Sequence, residues 1–429
     1  MFTFIDCVNL TIFILFTVIY FYRTIYVIVG LLSKRKRKKH TLPRKLHKYA
    51  VLIAARNEQE VIGELIKSIK NQKYPKWLID VFVVADNCTD DTAQRAREAG
   101  AIVFERYNQT YKGKGYALNF LLGKIAENYR TKKYEGYFVF DADNILENNY
   151  IYEMNKLFDK GYRVLTSYRN SKNYNHNWIS AGYALWFLHE AEYINNPRMI
   201  LKKSCAISGT GFLVHSDIIK RNGGWKHYLL TEDIEFTVSE VIKGEMIGYC
   251  GSAMLYDEQP FNFKQSWNQR LRWAKGFYQV FGRYGADLFK CCFQRKKQSF
   301  SCYDMIMTIM PAVLLSVTST VVNMIFFVVG LLNPAFDYKI LDITFSAICS
   351  VVIFYYSILF VLGLITTITE WKKIYCTPAK KILYLFTFPI FMFTYIPIAI
   401  AALFKKVEWE PIAHTCVKSL QDLHKKHSA

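Results

Sequence analysis

The sequence predicts an α/β domain, a mostly parallel sheet with helices on both faces, joined to an α-helical transmembrane region. Three observations carry this. Short β-rich runs alternate with helical-period segments between residues 49 and 141, the pattern of a sheet covered by crossover helices. Four apolar runs outside that stretch are long enough to cross a bilayer core of about 30 Å. Basic residues gather at the ends of those runs, in a chain of 429 residues with 55 Lys+Arg against 35 Asp+Glu and a net charge of +20. Hydrophobic residues make up 52% and aromatics 16%, which excludes a disordered chain. Ten cysteines without a C-x-x-C pair exclude a disulfide scaffold, and no His/Cys spacing suits zinc.

The first element is the apolar run 8–32, interrupted by Arg23. No basic segment precedes it and no small-residue cleavage site is obvious, so residues 1–33 read as a membrane anchor rather than a removable signal. Lys34 to Lys39 then form an unbroken basic run that opens a linker, 34–47. The positive-inside rule puts that end in the cytoplasm. Beside a span, such a run reads as a membrane-surface collar in preference to a nuclear or nucleic-acid signal. After the middle domain, runs 305–332 and 340–368 are expected to form a hairpin with 333–339 outside. The last run, 382–404, has Lys380-Lys381 before it, Lys405-Lys406 after it, and Pro389 and Pro397 within it. Cations at both ends favour a re-entrant segment over a spanning one and leave 405–429 as a basic cytoplasmic tail. Residues 301–404 are thus the C-terminal membrane region of a multi-pass cell-membrane protein with a cytoplasmic catalytic domain. The charge excess then belongs to the bilayer surface, and nucleic acid is not an expected partner.

In the middle domain, 48–264, strands are expected at 49–55, 81–85, 101–104 and 137–140, with helices at 58–71, 91–99 and 116–129. Ligands of such sheets bind at the carboxyl ends of the strands. The residues there are polar: Arg56 and Glu58 after the first strand, Asp86 to Asp91 after the second, Asp141, Asp143 and Asn144 after the fourth. Thr231-Glu232-Asp233 opens a further helix. Asp90 and Asp91 read as helix caps, and Glu58 also fits a plain first-turn charge. Asp141-Ala142-Asp143 is harder to reduce to structure. Two carboxylates at the end of an apolar strand repel unless a cation is near, and Mg²⁺ or Mn²⁺ bridging to substrate phosphates suits such oxygens. Lys112-Gly113-Lys114-Gly115 fits either a phosphate seat at a helix N-terminus or a solvated loop. Residues 265–300 begin with Trp267, Leu271, Trp273 and Phe277 interleaved with Arg270, Arg272 and Lys275, an amphipathic interface helix. Trp178, Tyr183, Trp186 and Phe187 read as helix core or as the lining of an acceptor channel.

In order, Asp86, Asp141-Ala142-Asp143, Thr231-Glu232-Asp233 and Gln269-Arg270-Leu271-Arg272-Trp273 resemble the D, D-x-D, (T/S)-E-D, Q-x-x-R-W series of the membrane-embedded family 2 glycosyltransferases. These include the cellulose, chitin, hyaluronan and poly-N-acetylglucosamine synthases. The resemblance covers roughly residues 48 to 284 and departs from the family where Ala85 stands in place of a first Asp. It implies a GT-A fold, a Rossmann-like mixed sheet with helices on both faces, and a UDP-sugar donor, UDP-GlcNAc or UDP-Glc. By the same resemblance Asp86 bonds the base, Arg56 and Glu58 contact the nucleoside, and Lys114 approaches the diphosphate. Asp141 and Asp143 hold the diphosphate through Mg²⁺ or Mn²⁺, with Asp143 the more direct ligand. Asp233, with Glu232 beside it, is the general base. Gly209 and Thr210 lie near the acceptor, while Gln269, Arg272 and Trp273 line the acceptor and pyrophosphate side. Trp409 and His414-Thr415 match loosely a tail that reaches back to the nucleotide.

One base and direct attack on the anomeric carbon imply inversion, so an α-linked donor gives a β-linked product. The Q-R-L-R-W motif marks the processive branch, whose acceptor is a growing polysaccharide and whose partners include secretion components or a second copy. The alternative is a single addition to a lipid acceptor, a diacylglycerol or a polyprenyl carrier. A membrane scaffold with a degenerate domain is disfavoured by the intact acids and Arg272.

Overall fold

The computed structural model describes residues 2–34, 42–310, 313–332, 338–411 and 414–425. Residues 35–39 of the basic run 34–39 and residues 333–337 of the expected outer loop 333–339 lie outside these.

Eight strands form one mixed sheet: β1 Tyr49–Ala55, β2 Ile79–Asp86, β3 Ile102–Arg106, β4 Gly136–Asp141, β5 Ile145–Leu146, β6 Val164–Ser171, β7 Phe212–His215 and β8 Ile247–Asp257. Their order is β3-β2-β1-β4-β7-β6-β8-β5. The first four are parallel, in the register Val51 to Val81 and Val51 to Phe138. β7 then runs antiparallel to both β4 and β6. Alternation along β1 divides the core between the two faces. Ala50 and Leu52 join Phe82, Val84 and the helix Lys114–Asn128 on one side. Val51 and Ile53 join Val83 and the helices Ile62–Lys70 and Tyr150–Phe158 on the other. The first helix begins at Ile62, later than expected at 58, because Glu58 to Val61 form a turn held by bonds to the Glu58 carbonyl.

The helix Phe263–Phe293 is capped by Asn262, whose side chain accepts from the Lys264 N–H at 2.9 Å. Its buried residues include Leu271, Ala274, Val280, Leu288 and Cys291, a helical stripe. That stripe packs on protein, against the helices Glu232–Ile242, Ser299–Ile309 and Tyr395–Phe404. The helix joins the domain to the apolar segments rather than presenting its whole apolar face to lipid.

Three helices among the described residues are long and apolar enough to cross a membrane: Cys7–Ser33, Thr344–Thr369 and Pro378–Phe404. The last is broken at Thr394 into Pro378–Phe393 and Tyr395–Phe404. Arg270 secures the break, donating to the Thr394 hydroxyl at 2.5 Å and to the Phe391 carbonyl at 3.3 Å. The expected run 305–332 is corrected. It is not one helix: Ser299–Ile309 ends at an extended Met310 ahead of Pro311, and Val313–Leu332 follows. The shorter helix carries Asp304, fully buried and gripped by Arg198 through Nε and Nη2 at 2.7 and 2.9 Å. Tyr22 and Tyr26 donate to the same carboxylate at 2.9 and 2.8 Å. This pair seats the N-terminal helix on the domain, and Gly30 makes a second point of close approach, where a Cβ would stand 2.8 Å from the Tyr193 ring.

Candidate active site

A single cleft of about 1180 Å³ runs from the carboxyl ends of β1, β2 and β4 into the apolar helices. At one end, Arg56, Glu58 and Asp86 line it. Asn57 leaves β1 at a φ of 56°, turning the chain so that its side chain accepts from the Thr89 N–H at 2.8 Å. Asp86 is buried and paired with Arg106 across β2 and β3. Burial raises its carboxyl, and Arg106 then Arg56 pull it back. Arg56 stacks over Trp409 at 5.2 Å, and its Nε and Nη1 are buried with no protein partner. A buried, unpartnered guanidinium facing a cleft is an anion or base contact waiting for a ligand.

The tail closes this end. His414 lies 2.9 Å from Glu58, and the Thr415 and Cys416 N–H groups donate to Glu258 at 3.2 and 2.8 Å. Burial alone would lower the His414 pKa, but Asp143, Glu58 and Glu258 raise it to about 10. The imidazolium is therefore a fixed positive charge at neutral pH.

In the middle, Asp141 and Asp143 follow β4. Asp143 is buried; it accepts from the Glu258 N–H at 2.8 Å and from Asn144 at 3.2 Å. Burial would raise its carboxyl, but His414, Lys172 and the Glu258 N–H hold it below the usual range. Asp141 is the more open, with 37% of its side chain exposed, and Lys114 pairs with it. Lys114 also donates to the Gly209 carbonyl at 2.8 Å and lies 3.8 Å from Glu232. Gly115, next to it, has the His227 carbonyl where a Cβ would sit, so the helix start can only pack there without a side chain. Among the described residues no group of three or more His, Cys, Asp or Glu is placed to hold a metal ion. The two aspartates nevertheless fit a hard divalent ion that takes its remaining ligands from a diphosphate and water.

Asp233 and Glu232 open the helix Glu232–Ile242. Asp233 accepts from the Gly209 N–H at 2.6 Å. Burial raises its carboxyl, and that bond and Lys114 oppose the rise. Glu232 is raised to about 7, mainly by burial. Facing them from the helix Phe263–Phe293 are Gln269, Arg272 and Trp273. The Gln269 Oε1 and Arg272 Nε are buried without partners. Trp273 packs edge-on against Tyr183 at 5.8 Å, and Trp186 and Phe187 line the same wall. The aromatic stretch thus serves both readings: Tyr183 is core, while Trp186 and Phe187 reach the cleft. Thr210, expected at the acceptor, does not line the cleft. It is buried, accepts from the Asp141 N–H at 2.9 Å and donates to Asn144, so it orients the loop after β4.

The lining residues without a sequence expectation include four charged ones at the domain end of the cleft, Arg169, Glu190, Asp257 and Glu258. Arg169 pairs with Asp257 and lies over the Phe187 ring at 3.7 Å. Burial raises the Asp257 carboxyl to about 6 against the pull of Arg169. Asp257 and Glu258 stand at the carboxyl end of β8, where the strand-end rule points, but only once that strand is recognised.

A family model described as "Glycosyltransferase like family 2" matches residues 47–276, just over half of the chain. A probable glycosyltransferase, YdaM, of Bacillus subtilis is 28% identical over 283 residues, 61% of this chain and 62% of its own length. The beta-monoglucosyldiacylglycerol synthase of a Nostoc species is 27% identical, covering 54% of this chain and 49% of its own. The poly-beta-1,6-N-acetyl-D-glucosamine synthase of Staphylococcus aureus is 25% identical, covering 53% and 54%. The chain thus spans about half to three fifths of the length of these curated relatives. Among solved structures, the mannosyltransferase PcManGT of Pyrobaculum calidifontis, in complex with GDP-Man and Mn²⁺, aligns over 93% of this chain and 99% of its own, with a TM-score of 0.55 at 14% identity. That likeness shows the GT-A fold.

Proposed function

The chain belongs to glycosyltransferase-like family 2, and from that premise we propose that it moves one sugar from a UDP-sugar, with inversion, onto a hydroxyl of a membrane lipid. The observation that carries the lipid reading is the continuity of the cleft. Beyond Asp233 and Trp273 it passes into an arm lined by Phe16, Phe21, Val352, Ile358 and Leu362, on helices apolar enough to lie in a bilayer. A wall this apolar suits a hydrocarbon chain and offers the hydroxyls of a polysaccharide few partners. A second reading, extension of a β-linked polysaccharide, is favoured by the Trp186 and Trp273 rings beside the acids, since aromatic faces pack well on pyranose rings.

In this mechanism Arg56, Asp86 and the tail residues Trp409 and His414 bind the nucleotide. Asp141 and Asp143 would hold Mg²⁺ or Mn²⁺ against the diphosphate; when bound, the ion supplies positive charge for the leaving group. Lys114 and Arg272 add fixed cations on the same side. Asp233 takes the proton from the acceptor hydroxyl at its Oδ atoms as that oxygen attacks the anomeric carbon. The Gly209 N–H fixes its orientation. Gln269 and Trp273 hold the acceptor. The protein would sit in the cell membrane as a multi-pass chain with this domain in the cytoplasm.

The test is a donor screen on the purified chain in lipid vesicles, followed by product chromatography. One new lipid-soluble species supports the proposal; a ladder of lengths supports the polysaccharide reading instead. Asp233→Asn is expected to lower transfer by about 10²–10⁴-fold with donor binding intact. Near-normal transfer by that variant would remove Asp233 from the role of base.

A further inference from the structure

Arg23, Arg169 and Arg198 line the cleft without a part in the proposed reaction, and of these Arg23 alone lies on a helix apolar enough to cross a membrane. Arg23 sits on the face of the N-terminal helix that lines the apolar arm with Phe16, Tyr20 and Thr24. Its Nη2 lies 3.3 Å from the Thr308 hydroxyl and 3.3 Å from Asp304, and its Nε donates to Tyr22 at 2.8 Å. Asp304, however, is already taken by the two bonds from Arg198 and those from Tyr22 and Tyr26. One carboxylate therefore serves two guanidinium groups. Arg198 is fully buried, whereas Arg23 keeps 24% of its side chain exposed, in the cleft.

The other charges nearby are otherwise engaged. Lys34 and Lys373 pair with Glu192 and Glu370. Glu190 bonds Ser208 and answers to Arg169 and Arg198. His189, whose pKa burial and then Arg23 lower to about 3, adds no charge. Arg23 also lies one turn before Tyr26 and two before Gly30, the residues seated on the polar domain. It thus stands where the apolar arm meets the polar cleft.

We infer that Arg23 binds the headgroup phosphate of an anionic lipid whose hydrocarbon lies along the apolar arm and whose hydroxyl reaches Asp233. A planar guanidinium matches phosphate oxygens in pairs, and the low-dielectric surroundings strengthen that bond. This rests on the lipid-acceptor reading and narrows it: a neutral diacylglycerol would leave the exposed part of the Arg23 guanidinium with no anion beyond the Asp304 carboxylate it shares with Arg198.

Binding, read without turnover, tests it. The full chain in detergent is titrated with dioctanoyl phosphatidylglycerol, with dioctanoylglycerol and with inorganic phosphate, following the fluorescence of the cleft tryptophans. Phosphatidylglycerol is expected to bind about tenfold more tightly than dioctanoylglycerol. Arg23→Gln should erase that preference, Arg23→Lys should keep part of it, and UDP binding should stay unchanged in both. Equal binding of the two lipids by the unaltered chain overturns the inference, whatever the variants do. So does a preference that survives Arg23→Gln, or full competition by inorganic phosphate, which would mark a free-anion site. A chain that binds the anionic lipid in this way but transfers no sugar would refute the proposed function and leave the lipid site standing.

Discussion

Glu232 opens its helix with a carboxyl that burial raises, Lys114 lowers and Asp233 raises again, to about 7. The unfolded value is near 4.5, so the folded chain binds the proton more tightly. Stability from this group is present below about pH 4.5 and is lost as pH rises toward 7. Glu232→Gln should therefore stabilise the protein at pH 8 by about 1–3 kcal/mol, and the gain should vanish near pH 4.5. Thermal unfolding at the two pH values reads this directly. At this scale the sequence was informative where acids follow recognisable strands. Asp86, Asp141, Asp143 and Asp233 all reach one cleft. Thr210, which the resemblance puts near the acceptor, turns its hydroxyl to Asp141 and Asn144 instead of into the cleft, a direction no motif records. Arg169 and Asp257 stayed hidden because their pairing joins β6 to β8, a register that only the folded sheet sets.

The helix Phe263–Phe293 is the element on which the site's geometry turns. Its Gly276 meets Thr231, the residue before Glu232 and Asp233, so closely that a Cβ would stand 2.6 Å from the threonine side chain. That contact fixes Arg272 against the acids. Gly276→Val should cost about 1–3 kcal/mol by overpacking. It should also lower turnover by more than that loss of stability explains, because the helix must move away from Asp233. Comparing kcat with the unfolding midpoint separates the two effects. The amphipathic pattern of this helix was legible, but what covers it was not: periodicity gives the apolar face and never its partner. The break within the run 305–332 was hidden for a related reason. Hydropathy adds up apolar residues and cannot see that Asp304, just ahead of them, is held by Arg198 inside the domain.

Across the whole molecule, the polar domain and the apolar helices are joined by buried charges. Burial opposes the ionised form of Asp304, but Arg198 and Arg23 hold its pKa down to about 2. Asp304→Asn would take from buried Arg198 the carboxylate that grips it through two bonds, a loss of about 3–5 kcal/mol. Limited proteolysis of the purified chain should then cut near residue 34 as the N-terminal helix comes loose. The α/β class and the existence of apolar segments followed from alternation and run length. The continuity of cleft and apolar arm did not, since it depends on how helices far apart in the chain assemble.

The tail that closes the nucleotide end has a consequence in time. Glu58 and His414 are 356 residues apart, and at about 5–20 residues per second the ribosome needs on the order of half a minute to join them. Until His414 emerges, the nascent chain has its acids and its anchor but an open pocket for the donor. The contact between Glu58 and His414 is therefore among the last of the site to form, after the residues of the apolar helices have been made.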